Sequence, residues 1–331
     1  MTDPRHRAVI VGCGNIAGLY EKPHGSLSYS HGRAFSDHPS FEIVGCVDSD
    51  IRKAKEFSEK YGIKCYDDDI EKIIYLAKPH VVSVCTPDST HYEVTKRILS
   101  KISSDLKLVF LEKPACQYQR ELTELVSISN QSETPIIVNM SRRYHAWYRW
   151  LKENYNRDQF GALIRVDIFY YGGWQHNGVH AVDLVHFLFG ETLTNGKIVE
   201  SWLGPEDSDP TYTVRCETKH KSTPVWFHGF SEKHYQIFDC DFKFSNARLQ
   251  ISNFEEKIEL QKLTVNPLGE RMLATHDSHL SRPTISPIGR AIEIIDEYLN
   301  YLKKESLVGC TLQDIERTMN VIWDIKVENN A

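Results

Sequence analysis

The feature that most constrains the fold is a short apolar strand that runs directly into a glycine-rich turn near the N-terminus. Residues 8–11 are apolar and mostly β-branched, and Gly12, Gly14 and Ala17 follow them in a GxGxxA pattern. Such a run predicts a buried parallel strand. Gly12 permits a tight turn, Gly14 lets the backbone approach a pyrophosphate, and Ala17 lets the next helix pack closely. The pattern predicts a strand–turn–helix unit whose helix N-terminus faces a phosphate group.

A carboxylate follows the second apolar run. Residues 41–47 predict another strand, and Asp48 comes directly after it, where the adenosine ribose hydroxyls of a dinucleotide would arrive. A carboxylate accepts hydrogen bonds from a ribose diol and repels a 2′-phosphate. Asp48 therefore favours NAD over NADP, although Arg52 nearby leaves NADP as the less favoured alternative. The alternative to a ribose contact is that Asp48 only caps the following helix.

The glycine turn and Asp48 are further apart in the sequence than the usual spacing of about 20 residues. The excess is a segment rich in Gly, Ser, Pro and Tyr at residues 20–30. Its composition predicts a loop that interrupts the first crossover, and its position predicts that it borders the ligand cleft as a lid.

Strands and helices keep alternating downstream of this unit. Residues 81–85 and 108–111 predict strands, and residues 54–61 and 92–99 predict helices. This alternation predicts a doubly wound α/β sheet, in which ligands bind beyond the carboxyl ends of the strands. Those ends carry the sequences TP at 86–87 and EKP at 112–114.

Length and composition exclude several classes of protein. The 331 residues favour two domains, and 41% hydrophobic with 25% charged residues is ordinary globular usage. A formal charge of −6 and the lack of a basic run argue against nucleic acid as a partner. No apolar run approaches the roughly 18 residues of a membrane span. The eight cysteines lack zinc-ligand spacing, so we expect reduced thiols, no metal and a cytoplasmic location.

The second half of the sequence predicts a series of short strands, and a helix after them. Several of its extended runs alternate apolar and polar residues, and turn residues separate them. Asn246 is predicted to take a left-handed turn conformation in a hairpin. After Pro287, an apolar stripe that ends at Leu302 predicts an amphipathic helix. The predicted strands are residues 162–171, 197–203, 211–218, 225–231, 237–244, 248–251 and 257–263.

Five segments together make the sequence resemble a known family. They are GCGNIA at 12–17, Asp48, TPDSTH at 86–91, EKP at 112–114 and GVHAVD at 178–183. In this order they resemble the Gfo/Idh/MocA (glucose-fructose oxidoreductase, inositol dehydrogenase, rhizopine catabolism) family. The resemblance implies an α/β fold with an N-terminal Rossmann domain and a C-terminal α+β domain on a large, mostly antiparallel, open-faced sheet. We accordingly expect domains at residues 1–120 and 121–310, and a C-terminal helix at 311–331 that packs back on the first domain.

The resemblance also implies which residues serve the reaction. In the family a Lys of the EKP motif and a His of the second domain meet over the nicotinamide, and Lys113 and His180 match them. A histidine suits proton removal from a hydroxyl, and a lysine stabilises a developing alkoxide. His180 could otherwise be a core residue of an apolar helix face, and Lys113 a surface lysine. The residues expected to bind cofactor are Gly12, Cys13, Gly14, Asn15, Ile16, Asp48, Thr86, Pro87, His91 and Glu112.

One position departs from the family pattern. Several members carry an acid four residues before the histidine, where this sequence has His176 followed by Asn177. Neutral imidazole and amide groups favour a substrate contact over proton transfer. Family members that act on sugar nucleotides can also lack the acid, so the resemblance shifts the expectation towards sugars or nucleotide sugars. The remaining candidate substrate contacts are Arg143, Tyr144 and Trp174; aromatic faces suit a sugar, while the arginine could instead pair with a local carboxylate.

The sequence as a whole predicts an NAD(P)-dependent oxidoreductase that transfers a hydride between nicotinamide and a hydroxyl or keto group. The expected substrate is a small sugar, cyclitol or nucleotide sugar. The alternatives are a regulator that binds a dinucleotide or a sugar without turnover, and an enzyme that retains NAD and oxidises its substrate transiently. The resemblance further implies a homodimer or homotetramer formed through the open sheet face.

Overall fold

The chain folds into two compact units. The computed structural model describes residues 5–19, 27–100, 105–202, 209–276, 282–302 and 309–328. The first unit consists of Met1–His145 and Thr284–Glu316, and the second of Ala146–Pro283 and Arg317–Ala331. No helix in these described ranges is both long and apolar enough to cross a membrane.

Fifteen strands and ten α-helices are assigned in the described ranges. The strands are β1 His6–Val11, β2 Phe41–Val47, β3 Tyr66–Asp67, β4 Val81–Val84, β5 Leu108–Leu111, β6 Ile136–Val138, β7 Leu163–Tyr171, β8 Leu193–Trp202, β9 Thr211–Thr218, β10 Pro224–Phe230, β11 Asp239–Phe244, β12 Ala247–Ser252, β13 Lys257–Val265, β14 Arg271–Thr275 and β15 Cys310–Thr311. The helices are α1 His31–Asp37, α2 Ile51–Tyr61, α3 Ile70–Ala77, α4 His91–Ser100, α5 Gln119–Gln131, α6 Ala146–Asn154, α7 Arg157–Phe160, α8 Val179–Phe189, α9 Pro287–Tyr301 and α10 Leu312–Glu328.

The first unit is built on a seven-stranded sheet in the order β15-β6-β5-β4-β1-β2-β3. All neighbouring strands are parallel except β15, which pairs antiparallel with β6. The chain leaves β1 in one direction, through β2, and later returns to its other side as β4. Their carboxyl ends therefore form the switch point at which such sheets bind ligands. The predicted Rossmann-type sheet is confirmed.

Local sequence explains where the helices begin and end. The Asp50 side chain accepts the Arg52 backbone N–H at the start of α2, and Gly62 ends that helix with a φ of 68°. The Ser286 side chain caps α9, whose first residue is a proline. Side-chain acceptors at the N-cap and a glycine after the last turn satisfy backbone groups that the helix itself leaves unpaired.

Helix α9 packs into the core of the first unit. Its residues Ile288, Ile292 and Ile295 are at most 6% exposed and share one apolar cluster with Ile10 and Phe110. Burial of each of these side chains contributes about 1.5–3 kcal/mol to folding. The predicted stripe is therefore correct except at its end. Leu302 lies beyond the helix, has a φ of 49° and is 54% exposed.

The second unit is built on an eight-stranded sheet in the order β14-β13-β12-β11-β7-β10-β9-β8. Only the β7–β10 pairing is parallel, so the sheet is mostly antiparallel, as predicted. Helix α8 covers one face, where Phe189 contacts Phe242 and Phe244 of β11. Asn246 does not take the predicted left-handed conformation, although β11 and β12 do form the hairpin.

The bounds of the two units differ from the expected division at residues 120 and 310. Strand β6 pairs with β5, and α9 packs against the turn at Ser141–Tyr144 and against α1, so both segments belong to the first unit. Most of α10 lies in the second unit, where the Trp174 indole donates to the Ile322 carbonyl and His186 bonds to Thr318.

Candidate active site

The glycine turn lies where the sequence predicts it, at the carboxyl end of β1. Gly12 has a φ of 89°, and a Cβ on it would lie 2.7 Å from backbone atoms of Cys85 and Thr86. Only glycine fits both the conformation and the close approach of β4. Gly14 has open space around its Cβ position, and Asn15 and Ile16 are exposed. The turn therefore packs closely against the segment after β4 at Gly12 and is accessible to a ligand at Gly14.

Asp48 holds the turn in place. One carboxylate oxygen accepts the Cys13 backbone N–H at 2.8 Å, and the other accepts the Asp50 backbone N–H at 2.9 Å. The helix cap proposed as its alternative role belongs to Asp50 instead. The Cys13 side chain is buried, with its Sγ 3.4 Å from the Val47 carbonyl, so it does not reach a ligand.

The segment after β4 presents one polar atom without a partner. The Thr86 Oγ1 atom is buried and has no hydrogen-bond partner in the described part of the chain. Pro87 beside it is exposed. His91 is fully buried, and its Nδ1 and Nε2 atoms lie 2.6 Å and 2.7 Å from the carbonyl oxygens of Pro114 and Thr86. His91 thus contacts two backbone segments of the site instead of open space.

The EKP segment follows β5 and is anchored by its glutamate. Glu112 is 8% exposed, and its Oε1 atom accepts hydrogen bonds from His31 Nε2 at 2.7 Å and from the Asn139 amide. His31 Nδ1 lies 2.7 Å from the Ser83 hydroxyl. Lys113 is half-buried, and the Lys113–Pro114 peptide bond is cis.

The buried His31–Glu112 pair is ionised. Burial opposes charge on His31, but the neighbouring Cys85 sulfur and the Glu112 carboxylate raise its pKa to about 10. Burial opposes charge on Glu112 as well, yet the hydrogen bonds from His31 and Asn139 keep its pKa below the ordinary value. A charged histidine therefore contacts the glutamate that immediately precedes Lys113.

In the second unit, the turn before α8 is fixed by an acidic residue that lies just before β9. Asp209 accepts the backbone N–H groups of Gln175 at 2.9 Å and His176 at 2.7 Å. The Trp174 backbone N–H donates to the Pro210 carbonyl at 2.9 Å. His176 is exposed and Asn177 is half-buried, so both side chains remain accessible.

His180 is the second residue of α8 and is 6% exposed. Asp183, one turn later, accepts a hydrogen bond from the Thr318 hydroxyl at 3.3 Å, and the same hydroxyl accepts one from His186 Nδ1 at 3.0 Å. Asp183 therefore links α8 to α10, which supports the orienting or structural role that the sequence suggested.

Three expected substrate contacts are buried among protein groups. Arg143 is 7% exposed and pairs with Asp314 at 3.6 Å. Tyr144 is 2% exposed within the apolar cluster of the first unit, and Trp174 is fully buried with its indole N–H on the Ile322 carbonyl. Arg143 has a framework role because its guanidinium pairs with Asp314, and Tyr144 and Trp174 have framework roles because they pack within the core.

The sequence did not reveal three residues that position the site. His31 and Asn139 bond to Glu112 at sequence separations of 81 and 27 residues, and Asp209 bonds to the turn before α8. Nothing local marks His31 or Asn139, since each depends on a partner distant in sequence. No group of three or more His, Cys, Asp or Glu side chains in the described ranges could hold a metal ion.

The arrangement in the first unit fits a dinucleotide. An accessible turn without a Cβ at Gly14, a carboxylate at the end of β2 and the unpartnered Thr86 hydroxyl lie at the carboxyl edge of one parallel sheet. Backbone N–H groups and a hydroxyl suit phosphate oxygens, and a carboxylate suits a ribose diol. Lys113 follows a strand that ends at the same edge.

Known proteins resemble the chain in sequence and in fold. A D-glucoside 3-dehydrogenase from Escherichia coli (strain K12) is 26% identical over 163 residues, which are 49% of this chain and 42% of that protein. The match thus spans less than half of the length of this relative. The structure of UDP-N-acetylglucosamine 3-dehydrogenase GnnA from Acidithiobacillus ferrooxidans has a TM-score of 0.76 at 14% identity, covering 98% of this chain and 97% of that one.

The same fold also occurs in a protein described as a regulator. The structure of the transcriptional regulator Gal80p from Kluyveromyces lactis has a TM-score of 0.77 at 17% identity, with 99% of this chain and 93% of that one covered. Likeness at such identities shows the fold alone. A model of the Gfo/Idh/MocA group, described as an oxidoreductase family with an NAD-binding Rossmann fold, matches residues 6–140. The resemblance to the Gfo/Idh/MocA oxidoreductase family that the sequence predicts is therefore confirmed over the Rossmann portion of the chain.

Proposed function

We propose that the protein is an NAD-dependent dehydrogenase or reductase that acts on a hydroxyl or keto group of a sugar, cyclitol or nucleotide sugar. The observation that carries the proposal is the anchored EKP segment at the ligand-binding edge of the Rossmann sheet. Lys113 follows β5 there, between a glutamate and a proline that are both held by buried histidines. The relatives named dehydrogenases of a glucoside and of a nucleotide sugar support the substrate class.

Each catalytic residue has a separate task in this proposal. Bound NAD would supply the hydride acceptor or donor. The Lys113 ammonium stabilises negative charge on the substrate oxygen, and His180 takes the hydroxyl proton during oxidation or returns it during reduction. His176 and Asn177 contact the substrate, since their side chains are accessible next to the turn that precedes His180.

The preference for NAD is part of the proposal. Asp48 already uses one oxygen for Cys13 and the other for Asp50, but it remains half-exposed at the end of β2. A carboxylate there accepts a hydrogen bond from a ribose hydroxyl and repels a 2′-phosphate. The expected cytoplasmic location has support from the cysteines, because all eight are free thiols.

We also propose self-association through the open face of the second sheet. Asp167 is 5% exposed and is bonded by Arg165 of the same strand and by His228 and Lys243 of the two neighbouring strands. The side chains of Trp226 and His228 stack on the same face. A face with both signs of charge and aromatic groups suits a second copy of itself. Light scattering that gives the mass of a monomer would contradict this part.

An absorbance screen tests the activity. We would mix the protein with NAD and, separately, an alkyl D-glucoside, myo-inositol and UDP-N-acetylglucosamine, and follow NADH formation beside Lys113→Met. Activity with one of them, absent in the variant, supports the proposal. Binding of a sugar and NAD without turnover by either protein would favour a regulator instead.

A further inference from the structure

The EKP segment is held by a histidine on each side of Lys113. His31 bonds the Glu112 carboxylate at 2.7 Å, and His91 Nδ1 lies 2.6 Å from the Pro114 carbonyl. Both histidines are fully buried. Lys113 is therefore the residue between two fixed points, and its backbone has little freedom to move unless one of them is released.

His91 contacts two backbone segments of the site through its two ring nitrogens. Its Nδ1 atom lies 2.6 Å from the Pro114 carbonyl oxygen, and its Nε2 atom lies 2.7 Å from the Thr86 carbonyl oxygen. His91 therefore joins the segment after β4 to the EKP segment after β5.

His31 acts on the other side through a side chain. Its Nε2–H donates to Glu112 and its Nδ1–H to the Ser83 hydroxyl, so it joins α1 to β4 and to the residue after β5. The Asn139 amide donates to the same glutamate oxygen from the residue after β6. These bonds converge on the residue that immediately precedes Lys113.

We propose that His31 and His91, here called the histidine clamp, are positioning residues that hold the Glu112–Pro114 segment and thereby set where the Lys113 ammonium group lies. The inference rests on the proposed function for the importance of Lys113, but not for the clamp itself. Neither histidine needs to touch the substrate or the cofactor, and this differs from the cofactor contact first expected of His91. A small misplacement of a catalytic group lowers turnover strongly, so the clamp would act on rate more than on cofactor affinity.

Lysine reactivity tests the clamp without a known substrate. We would acetylate the cofactor-free protein with acetic anhydride and measure Lys113 by peptide mass spectrometry, with exposed Lys78 as the internal reference. In His31→Gln and in His91→Gln, the Lys113 rate should rise at least about threefold, because glutamine donates through one nitrogen only and local opening becomes easier. The matched control is His80→Gln, since His80 lies at the amino end of β4 and contacts Arg7. Equal Lys113 rates in all three folded variants would overturn the inference.

Proton NMR of the wild-type protein gives a second test that needs no variant to fold. A His91 ring N–H proton held by a buried carbonyl oxygen should exchange slowly with solvent, whereas rapid exchange would overturn the role of His91. The proposed function fails separately. If Lys113→Met keeps wild-type turnover while these two measurements come out as expected, the catalytic assignment is wrong and the clamp stands. If Lys113→Met is inactive while both clamp measurements contradict the inference, the catalytic assignment stands and the clamp is wrong.

Discussion

Gly12→Ala and Gly14→Ala form a matched pair that tests the structure of the cofactor turn. At Gly12, an alanine would have to keep a φ of 89°, at a cost of about 1–2 kcal/mol. Its Cβ would lie 2.7 Å from the backbone of Cys85 and Thr86, so β1 and β4 must separate by about 0.7 Å to reach the 3.4 Å of ordinary contact. We expect a total loss of about 2–4 kcal/mol in the free energy of unfolding.

At Gly14, the same substitution has a different expected result. No atom lies within 4 Å of the Cβ position, and the residue is not in the left-handed region, so stability should change by no more than about 0.5 kcal/mol. The added methyl group lies where a pyrophosphate would approach, and the dissociation constant for NADH should rise about tenfold, or about 1.4 kcal/mol. Urea denaturation and NADH fluorescence titration measure the two effects. Equal stability losses in the two variants, or unchanged NADH affinity in Gly14→Ala, would refute the reasoning.

Three further predictions follow from the site. Lys113→Met and His180→Ala should each lower turnover by about 10²–10⁴-fold and leave the NADH dissociation constant nearly unchanged; calorimetry and single-turnover kinetics check both, and near-normal rates in folded protein would remove the residue from the mechanism. Asp48→Ala should reduce the preference for NADH over NADPH, whereas the control Asp50→Ala should only weaken the start of α2; competition titrations in which the two variants behave alike would contradict the ribose contact. The stabilisation from protonated His31 is fully present below the ordinary histidine pKa of about 6.5 and is lost as pH rises through about 10. The free energy of unfolding should therefore fall over this window more steeply in wild type than in His31→Gln, and parallel pH profiles would count against a charged His31.

Local patterns in the sequence were sufficient for the elements that depend on nearby residues. The glycine turn is recognisable because Gly12 must adopt a conformation that other residues resist, and β2 is recognisable because an apolar strand runs directly into Asp48. The predicted bounds of β4, β5, β7 and β9 agree with the structure to within one residue, whereas the short strands β3 and β15 and the edge strand β14 were not predicted. The loop predicted at residues 20–30 lies largely outside the described residues, since 20–26 are not described, and its place at the cleft stays a prediction.

Features that depend on distant contacts could not be predicted in this way. His31 becomes functional only through Glu112, and the chain offers no local signal for that pairing. The sequence predicts Trp174 as a sugar-stacking residue, but the structure buries it. Its indole N–H donates to the Ile322 carbonyl of α10, a helix near the end of the sequence. The end of the first unit was misjudged because α9, far along the chain, completes the core of the Rossmann unit. Tertiary packing decided each of these cases.

The most direct test of hydride chemistry at Lys113 is NADH formation during a single turnover. Wild type and Lys113→Met, each saturated with NAD, would be mixed in a stopped-flow instrument with the best sugar from the screen. We predict an NADH absorbance rise in wild type and a rate at least about a hundredfold lower in the variant, while both bind NAD with similar affinity. Equal rates in the two proteins, or a wild type that binds NAD and sugar but forms no NADH, would contradict the central claim.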